Sequence, residues 1–414
     1  MPDYTLASSL QLNHTPGLPE RVSITLTASK SESNRVLIMQ ALAGGGGPVN
    51  NLAAARDTRT MQACLQQDPA SVNVLDAGTT MRFLTAYYAI QRRSRYIHGT
   101  DRMHERPIGI LVDALQTIGA DITYAGKEGY PPLQLNGMSK QQSNVVEMRG
   151  DVSSQYISAL MMIAPVLPNG LTLKLTGEVG SRPYINMTLN LMKHFGIGVE
   201  GNEVNEYRFR PGKYRVEEYT IEADWSAASY WYSLVALGKA GSVELKGLKK
   251  ESLQGDHVIA GIMKQLGVDT GYRSDGVLLT KGRTEKEITI DFTDCPDLAQ
   301  TVAVVCAAKN VRGIFTGLKS LRIKETDRIA ALQNELSKIG AALKEEQDCW
   351  TLIPDFRVAD GVSFSTYDDH RMAMAFAPLA TLMNIRIENP GVVRKSYPAF
   401  WNDWEKAGIA ISAG

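Results

Sequence analysis

Apolar residues recur at helical spacing in several segments of the chain, each closed by a glycine and followed by a short alternating run. The clearest are Ile108–Ile118 before Gly119, Tyr184–Phe195 before Gly196, His257–Leu266 before Gly267 and Ile329–Ile339 before Gly340; a shorter one, Trp401–Ala407, ends at Gly408. A glycine there predicts the left-handed residue that closes a helix, a conformation glycine enters cheaply. The residues that follow (120–123, 197–199 and 268–270) predict strands. Intervals of 77, 71 and 73 residues separate the first four glycines. That is too long for a solenoid and fits a repeated βαβαββ-type module.

Length and composition narrow the class. A chain of 414 residues suggests about two to four domains. Gly44–Gly47 with Pro48 reads as a helix stop, and Lys249-Lys250-Glu251 as a solvated patch, so no linker is visible and the domains are expected to be interleaved. With 44% apolar and 21% charged residues the chain is an ordinary globular one. Its 44 basic and 44 acidic side chains cancel, which argues against a nucleic-acid partner. The longest apolar stretch, 156–167, is 12 residues and is interrupted by Ser158 and Pro165, against the roughly 20 a spanning helix needs. No signal-peptide pattern is visible in Met1-Pro2-Asp3-Tyr4, and Cys64, Cys295, Cys306 and Cys349 show no CxxC spacing; a cytoplasmic protein without membrane partner is expected.

The chemistry lies in basic and hydroxyl residues placed at the starts of predicted helices, where free N–H groups and the helix dipole favour anions. They are Ser29-Lys30-Ser31-Glu32-Ser33-Asn34-Arg35, Asp76-Ala77-Gly78-Thr79-Thr80-Met81-Arg82, Arg102-Met103-His104-Glu105-Arg106-Pro107, Ser153-Ser154-Gln155, Ser181-Arg182-Pro183-Tyr184, Lys324-Glu325-Thr326-Asp327-Arg328, Asp368-Asp369-His370-Arg371 and Arg394-Lys395-Ser396. Ser31 and Arg35 are an i, i+4 pair expected to share a face, and Lys324 and Arg328 are expected to do so if their helix begins early enough. Pro107 is expected to pre-set a helix start, leaving Arg102 and Arg106 in the preceding loop. Read singly, each segment is equally an N-cap or a surface charge ladder. Walker, GxGxxG, HExxH and nucleophile-elbow patterns are absent from the sequence.

Taken together and in order, these motifs, with ADWSAASY and CPDLAQT, resemble the 5-enolpyruvylshikimate-3-phosphate (EPSP) synthases among the enolpyruvyl transferases, from Lys30 to Tyr397. The resemblance implies an α/β fold: a two-domain inside-out α/β barrel of βαβαββ repeats. One domain spans 29–221 and carries the SKS, AGT and SSQ motifs; the other joins 1–28 to 222–414, with an N-terminal strand completing it, and the active site lies in the interdomain cleft. It implies a monomer acting on shikimate 3-phosphate and phosphoenolpyruvate, with no metal or organic cofactor, as a target of glyphosate. Asp297, Lys324, Glu325 and Lys395 would be catalytic. Lys30, Ser31, Arg35, Ser153, Ser154, Gln155, Ser181, Asp297, Ser320 and Lys324 would hold shikimate 3-phosphate. Lys30, Gly78, Arg82, Arg102, Gln155, Arg328, Arg371 and Lys395 would hold phosphoenolpyruvate. The two ligands carry about −5 to −6 in all; the eight matched cations less Asp297 and Glu325 leave +6.

Three departures from the family pattern stand out. Asp76 replaces a common asparagine and would repel phosphoenolpyruvate unless Arg82 or another cation pairs with it. Ser320 replaces another asparagine, and the segment 61–75 is about 20–25 residues short, as if a strand and turn were missing from the first module. Two other readings compete. A transferase acting on UDP-N-acetylglucosamine would present a loop cysteine, whereas Cys295 reads as packing. A non-catalytic anion-binding relative would have lost Asp297, Lys324 or Glu325, and none is lost.

Overall fold

The computed structural model describes residues 3–17, 19–200, 205–239 and 241–414. Among them lie thirteen α-helices: α1 Lys30–Ala43, α2 Arg56–Gln67, α3 Gly78–Ala89, α4 Asp101–His104, α5 Gly109–Thr117, α6 Ser154–Ile163, α7 Arg182–His194, α8 Trp225–Leu237, α9 Ile259–Gln265, α10 Ala299–Ala308, α11 Arg328–Ser337, α12 His370–Phe376 and α13 Phe400–Lys406. The chain divides into two compact units, Ser29–Ile221 and Met1–Ala28 with Glu222–Gly414.

In the continuous unit, α3 and α6 are buried on almost every side and pack on each other and on α1. A helix without a polar face can only be stable in the interior. The amphipathic α2, α5 and α7 keep exposed faces. One sheet runs Ser71–Asn73, Arg95–His98, Leu133–Gly137, Asp121–Tyr124; its first two strands are parallel and the later pairings antiparallel. A second begins the same way, Val145–Arg149 parallel to Leu171–Thr176, then Glu206–Phe209 antiparallel. The third has only Tyr219–Thr220 parallel to Val49–Asn50. Here α2 ends at the left-handed Asp68 and leads straight to Ser71–Asn73 in the neighbouring sheet, with no hairpin between. Among the described residues this module therefore lacks the antiparallel pair that the four-stranded sheet of the same unit carries.

The discontinuous unit repeats the plan three times in full. Arg21–Thr25 is parallel to Ser242–Lys246, which is antiparallel to Gly276–Thr284 and so on to Leu266–Arg273. Glu287–Asp291, Arg312–Thr316, Cys349–Ile353 and Ala342–Glu346 follow the same order. In the last sheet Val362–Phe364 is parallel to Ile385–Glu388, and Ser9–Leu12 is antiparallel both to that strand and to Ile411–Ala413. Helices α8, α10 and α12 pack together and are buried around their whole circumference; Trp225, Trp231 and Tyr230 on α8 are at most 1% exposed.

Gly119, Gly196, Gly267, Gly340 and Gly408 have φ between +84° and +108° at the ends of α5, α7, α9, α11 and α13. Strands Asp121–Tyr124 and Leu266–Arg273 cover the expected 120–123 and 268–270, but the second starts at Leu266, a residue expected to end the helix, so Gly267 lies within the strand. After Gly196 the expectation fails: residues 197–199 are not a strand, and only Glu200 forms an isolated bridge with Arg208.

Candidate active site

In the continuous unit, Ser29 caps α1, its side chain accepting from the Glu32 amide, so Lys30 stands at the helix entrance and pairs with Asp57 at 3.2 Å. One turn on, Arg35 is 2% exposed. Its Nε donates to Thr188 Oγ1 (2.7 Å), Nη1 to the Ser31 carbonyl (2.9 Å) and Nη2 to Ser158 Oγ (3.1 Å) and the Tyr184 carbonyl (3.4 Å). The guanidinium also lies over the Phe83 and Tyr184 rings. Among the described residues, no hydrogen-bond partner of Arg35 is a carboxylate. Burial therefore pulls its pKa down to about 10, against the smaller opposing effects of Tyr184 and Glu32.

The helix α3 starts at Gly78 without a side-chain cap. Arg82, one turn along, donates to the Gly78 carbonyl (3.3 Å) and the Pro107 carbonyl (2.7 Å). A Cβ at position 78 would lie 2.5 Å from Nη2 of Arg106, so a larger residue there would displace that guanidinium. Gln155 Nε2 donates to Thr79 Oγ1 at 3.1 Å, and the Tyr156 hydroxyl to the Pro107 carbonyl, tying α6 to α3 and to the segment before α5. Arg102 lies on the one-turn α4, not in a loop, and pairs with Glu105 at 2.7 Å on the surface; Arg106 is buried, and the helix after Pro107 starts only at Gly109. Ser153 caps α6 and Ser154 is its first residue. Ser181 precedes α7 at φ +52° with no capping hydrogen bond from its side chain, so ordinary N-capping does not account for it.

In the discontinuous unit one guanidinium organises the acids. Arg328, 1% exposed, is the first residue of α11, which Asp327 caps. It reaches Asp369 at 2.7 Å, Glu325 at 2.9 Å and Asp297 at 3.0 Å. Asp297 also meets Arg371 at 2.7 Å, and Glu325 meets Lys395 at 3.3 Å. Burial pushes the Asp297 carboxyl up, but Arg371, Arg328 and Lys324 outweigh it and hold it well below the usual range. Desolvation disfavours charge on Arg328, yet Asp369, Glu325 and Asp297 more than compensate and raise its pKa.

One local expectation is corrected, for Lys324 and Arg328, and two neighbouring site residues are placed. The helix begins at Arg328, so Lys324 sits outside it, ending the 3-10 turn Lys319–Ile323, and the two do not share a helical face. Ser320 is exposed within that turn. Asp297 lies inside the 3-10 turn Pro296–Leu298 ahead of α10 and does not cap the helix. The charge tally also missed two carboxylates, Asp57 on Lys30 and the fully buried Asp369 on Arg328, so the cationic excess is smaller than counted. Asp369 stood inside a motif already singled out; nothing in the sequence marks Ser158 and Thr188 as supports of Arg35.

A sequence profile of the family described as EPSP synthase (3-phosphoshikimate 1-carboxyvinyltransferase) matches residues 66–404. The chain is 48% identical to a 3-phosphoshikimate 1-carboxyvinyltransferase of Bacteroides fragilis over 398 residues, covering 95% of this chain and 97% of that protein. To the enzyme of the same name from Idiomarina loihiensis it is 36% identical, covering 93% and 96%. The fold superposes on an EPSP synthase from Acinetobacter baumannii with a TM-score of 0.80 at 20% identity, covering 98% and 99% of the two chains. With its sequence relatives and its fold agreeing, this chain belongs to the EPSP synthase family.

Proposed function

We propose that the chain transfers the enolpyruvyl group of phosphoenolpyruvate to the 5-hydroxyl of shikimate 3-phosphate and releases phosphate, as a cytoplasmic monomer of the shikimate pathway. The observation that carries this reading is the Arg328 centre, where two carboxylates of the motif set, Asp297 and Glu325, share one buried guanidinium. Among the described residues the six sheets, four of them four-stranded, fit βαβαββ modules, three to a unit beside buried helices, and this supports reading the fold as the inside-out barrel of enolpyruvyl transferases.

Lys30, Ser31, Arg35, Ser153, Ser154, Gln155 and Ser181, with Asp297, Ser320 and Lys324, bind shikimate 3-phosphate. Arg82, Arg102, Arg328, Arg371 and Lys395, with Lys30, Gly78 and Gln155, bind phosphoenolpyruvate, because a planar guanidinium can grip a carboxylate or phosphate through two parallel bonds. In the addition step Asp297 takes the 5-hydroxyl proton with help from Lys324, the oxygen attacks C2, and Glu325, beside Lys395, protonates the methylene carbon. Elimination then removes a proton from the new methyl group and expels phosphate from C2, which re-forms the carbon–carbon double bond and leaves the product's enol ether.

The ion pairs give this scheme an order. While Arg371 and Arg328 grip Asp297, its carboxylate is a weak base. An arriving phosphoenolpyruvate competes for the same guanidinium groups; as they turn to it, the pKa of Asp297 rises and it becomes able to accept a proton. Phosphate release that requires both shikimate 3-phosphate and phosphoenolpyruvate tests the reading. Release with UDP-N-acetylglucosamine in place of shikimate 3-phosphate would reverse it.

A further inference from the structure

The negative charge that Asp76 adds ahead of α3 is met in the structure. Asp76 Oδ1 forms a close ion pair with an Nη of Arg56, in the first turn of α2. The Arg56 side chain is 43% exposed and that of Asp76 25%, yet the Arg56 Nε is buried without a hydrogen-bond partner. The Asp76 backbone carbonyl accepts from Arg106 Nη1 at 3.3 Å, and that guanidinium lies against Gly78. Asp76 thus holds one arginine through its side chain and another through its backbone, two residues ahead of the helix entrance.

We infer that Arg56 and Asp76 are a matched pair of positioning residues that together set how strongly this entrance holds the anionic co-substrate. An uncompensated carboxylate would lower the local potential by a full charge beside an expected multiply charged anion. Arg56 returns that charge to zero, so the pair presents the anion with the same net charge as a neutral amide. As an ion pair it adds little to folding, since both groups are part-exposed. Its effect is on the field at the site. This inference rests on the proposed reaction.

The test is a double-substitution cycle, R56A, D76N and R56A/D76N, read by steady-state phosphate release with phosphoenolpyruvate varied. R56A should raise the KM for phosphoenolpyruvate about tenfold with kcat within about twofold, because a bare Asp76 opposes binding without touching the reacting atoms. D76N should leave that KM unchanged or lower it. The double variant should return to within about threefold of the parent, a rescue that loss of structure would not give. The R56A effect should shrink in 0.5 M salt, a condition chosen to screen exposed charge. An unchanged KM in R56A, a raised KM in D76N, or a double variant as poor as R56A would each overturn the inference while leaving the activity standing. A parent protein that releases no phosphate from the two substrates would bring down the proposed reaction, and this inference with it.

Discussion

Arg35 and Arg328 are both arginines at most 2% exposed, each held by three or more partners, yet they are neutralised in opposite ways. Arg328 faces three carboxylates and is more firmly charged than a free arginine. Arg35 faces hydroxyl groups, backbone carbonyls and aromatic rings, and its charge is weakened. Burying a charge is tolerated when a counter-charge or a full set of hydrogen bonds replaces water. The acid-rich centre stores groups that can gain or lose protons. The hydroxyl-lined one retains a positive charge that an anionic ligand can still answer.

The sharpest way to break this contrast is to remove a counter-charge. Asp369→Ala leaves Arg328 short of its most buried partner and should cost about 3–5 kcal/mol of stability in urea unfolding; a loss below about 1 kcal/mol would mean the centre is not electrostatically tight. Lys324→Met should cut kcat at least about a hundredfold in phosphate release while the fold survives. Near-normal turnover would remove Lys324 from the chemistry and make the acidic centre merely structural. On the other side of the comparison, Thr188→Val deletes a neutral partner of Arg35 and should cost about 1–3 kcal/mol in the same unfolding assay. If it equalled Asp369→Ala, the two arginines would not differ in kind.

Arg371→Lys should raise the phosphoenolpyruvate KM about tenfold with a smaller change in kcat, since an ammonium cannot reproduce the fork. The subtlest effect concerns pH. Asp256 is 3% exposed, and burial, aided by the nearby Asp297 charge, pushes its carboxyl up to about 7. Its stabilising contribution is therefore full below about pH 4, its unfolded value, and is lost as pH rises toward 7. Asp297, held low, contributes in the opposite sense and loses its contribution only in acid. Asp256→Asn should flatten the decline in stability between about pH 4 and 7; an unchanged slope there would show that Asp256 is already ionised.

Helix-closing glycines were legible because a left-handed residue has few side-chain solutions, and all five fall where the pattern put them. The basic motifs were legible as residues but not as partners. Lys30 could be placed at a helix entrance from the sequence, whereas its contact with Asp57, 27 positions away, depends on how α1 and α2 pack. The same holds for Arg35 with Thr188, 153 positions apart. The helix boundary failed where a 3-10 turn intervened, at Lys324, because apolar periodicity does not distinguish such a turn from the first turn of the helix that follows. Asp76 was recognised as a misfit, but its partner Arg56 lay in a segment that no motif marked.

The strand Ser9–Leu12 sits between Ile385–Glu388 and Ile411–Ala413. On a ribosome, Ser9–Leu12 must stay unmated until residues 385–413 have emerged, while the continuous 29–221 unit can settle in between. Nascent chains thus carry an open edge until those partners arrive, and stalling before residue 385 would leave that edge available to stray partners.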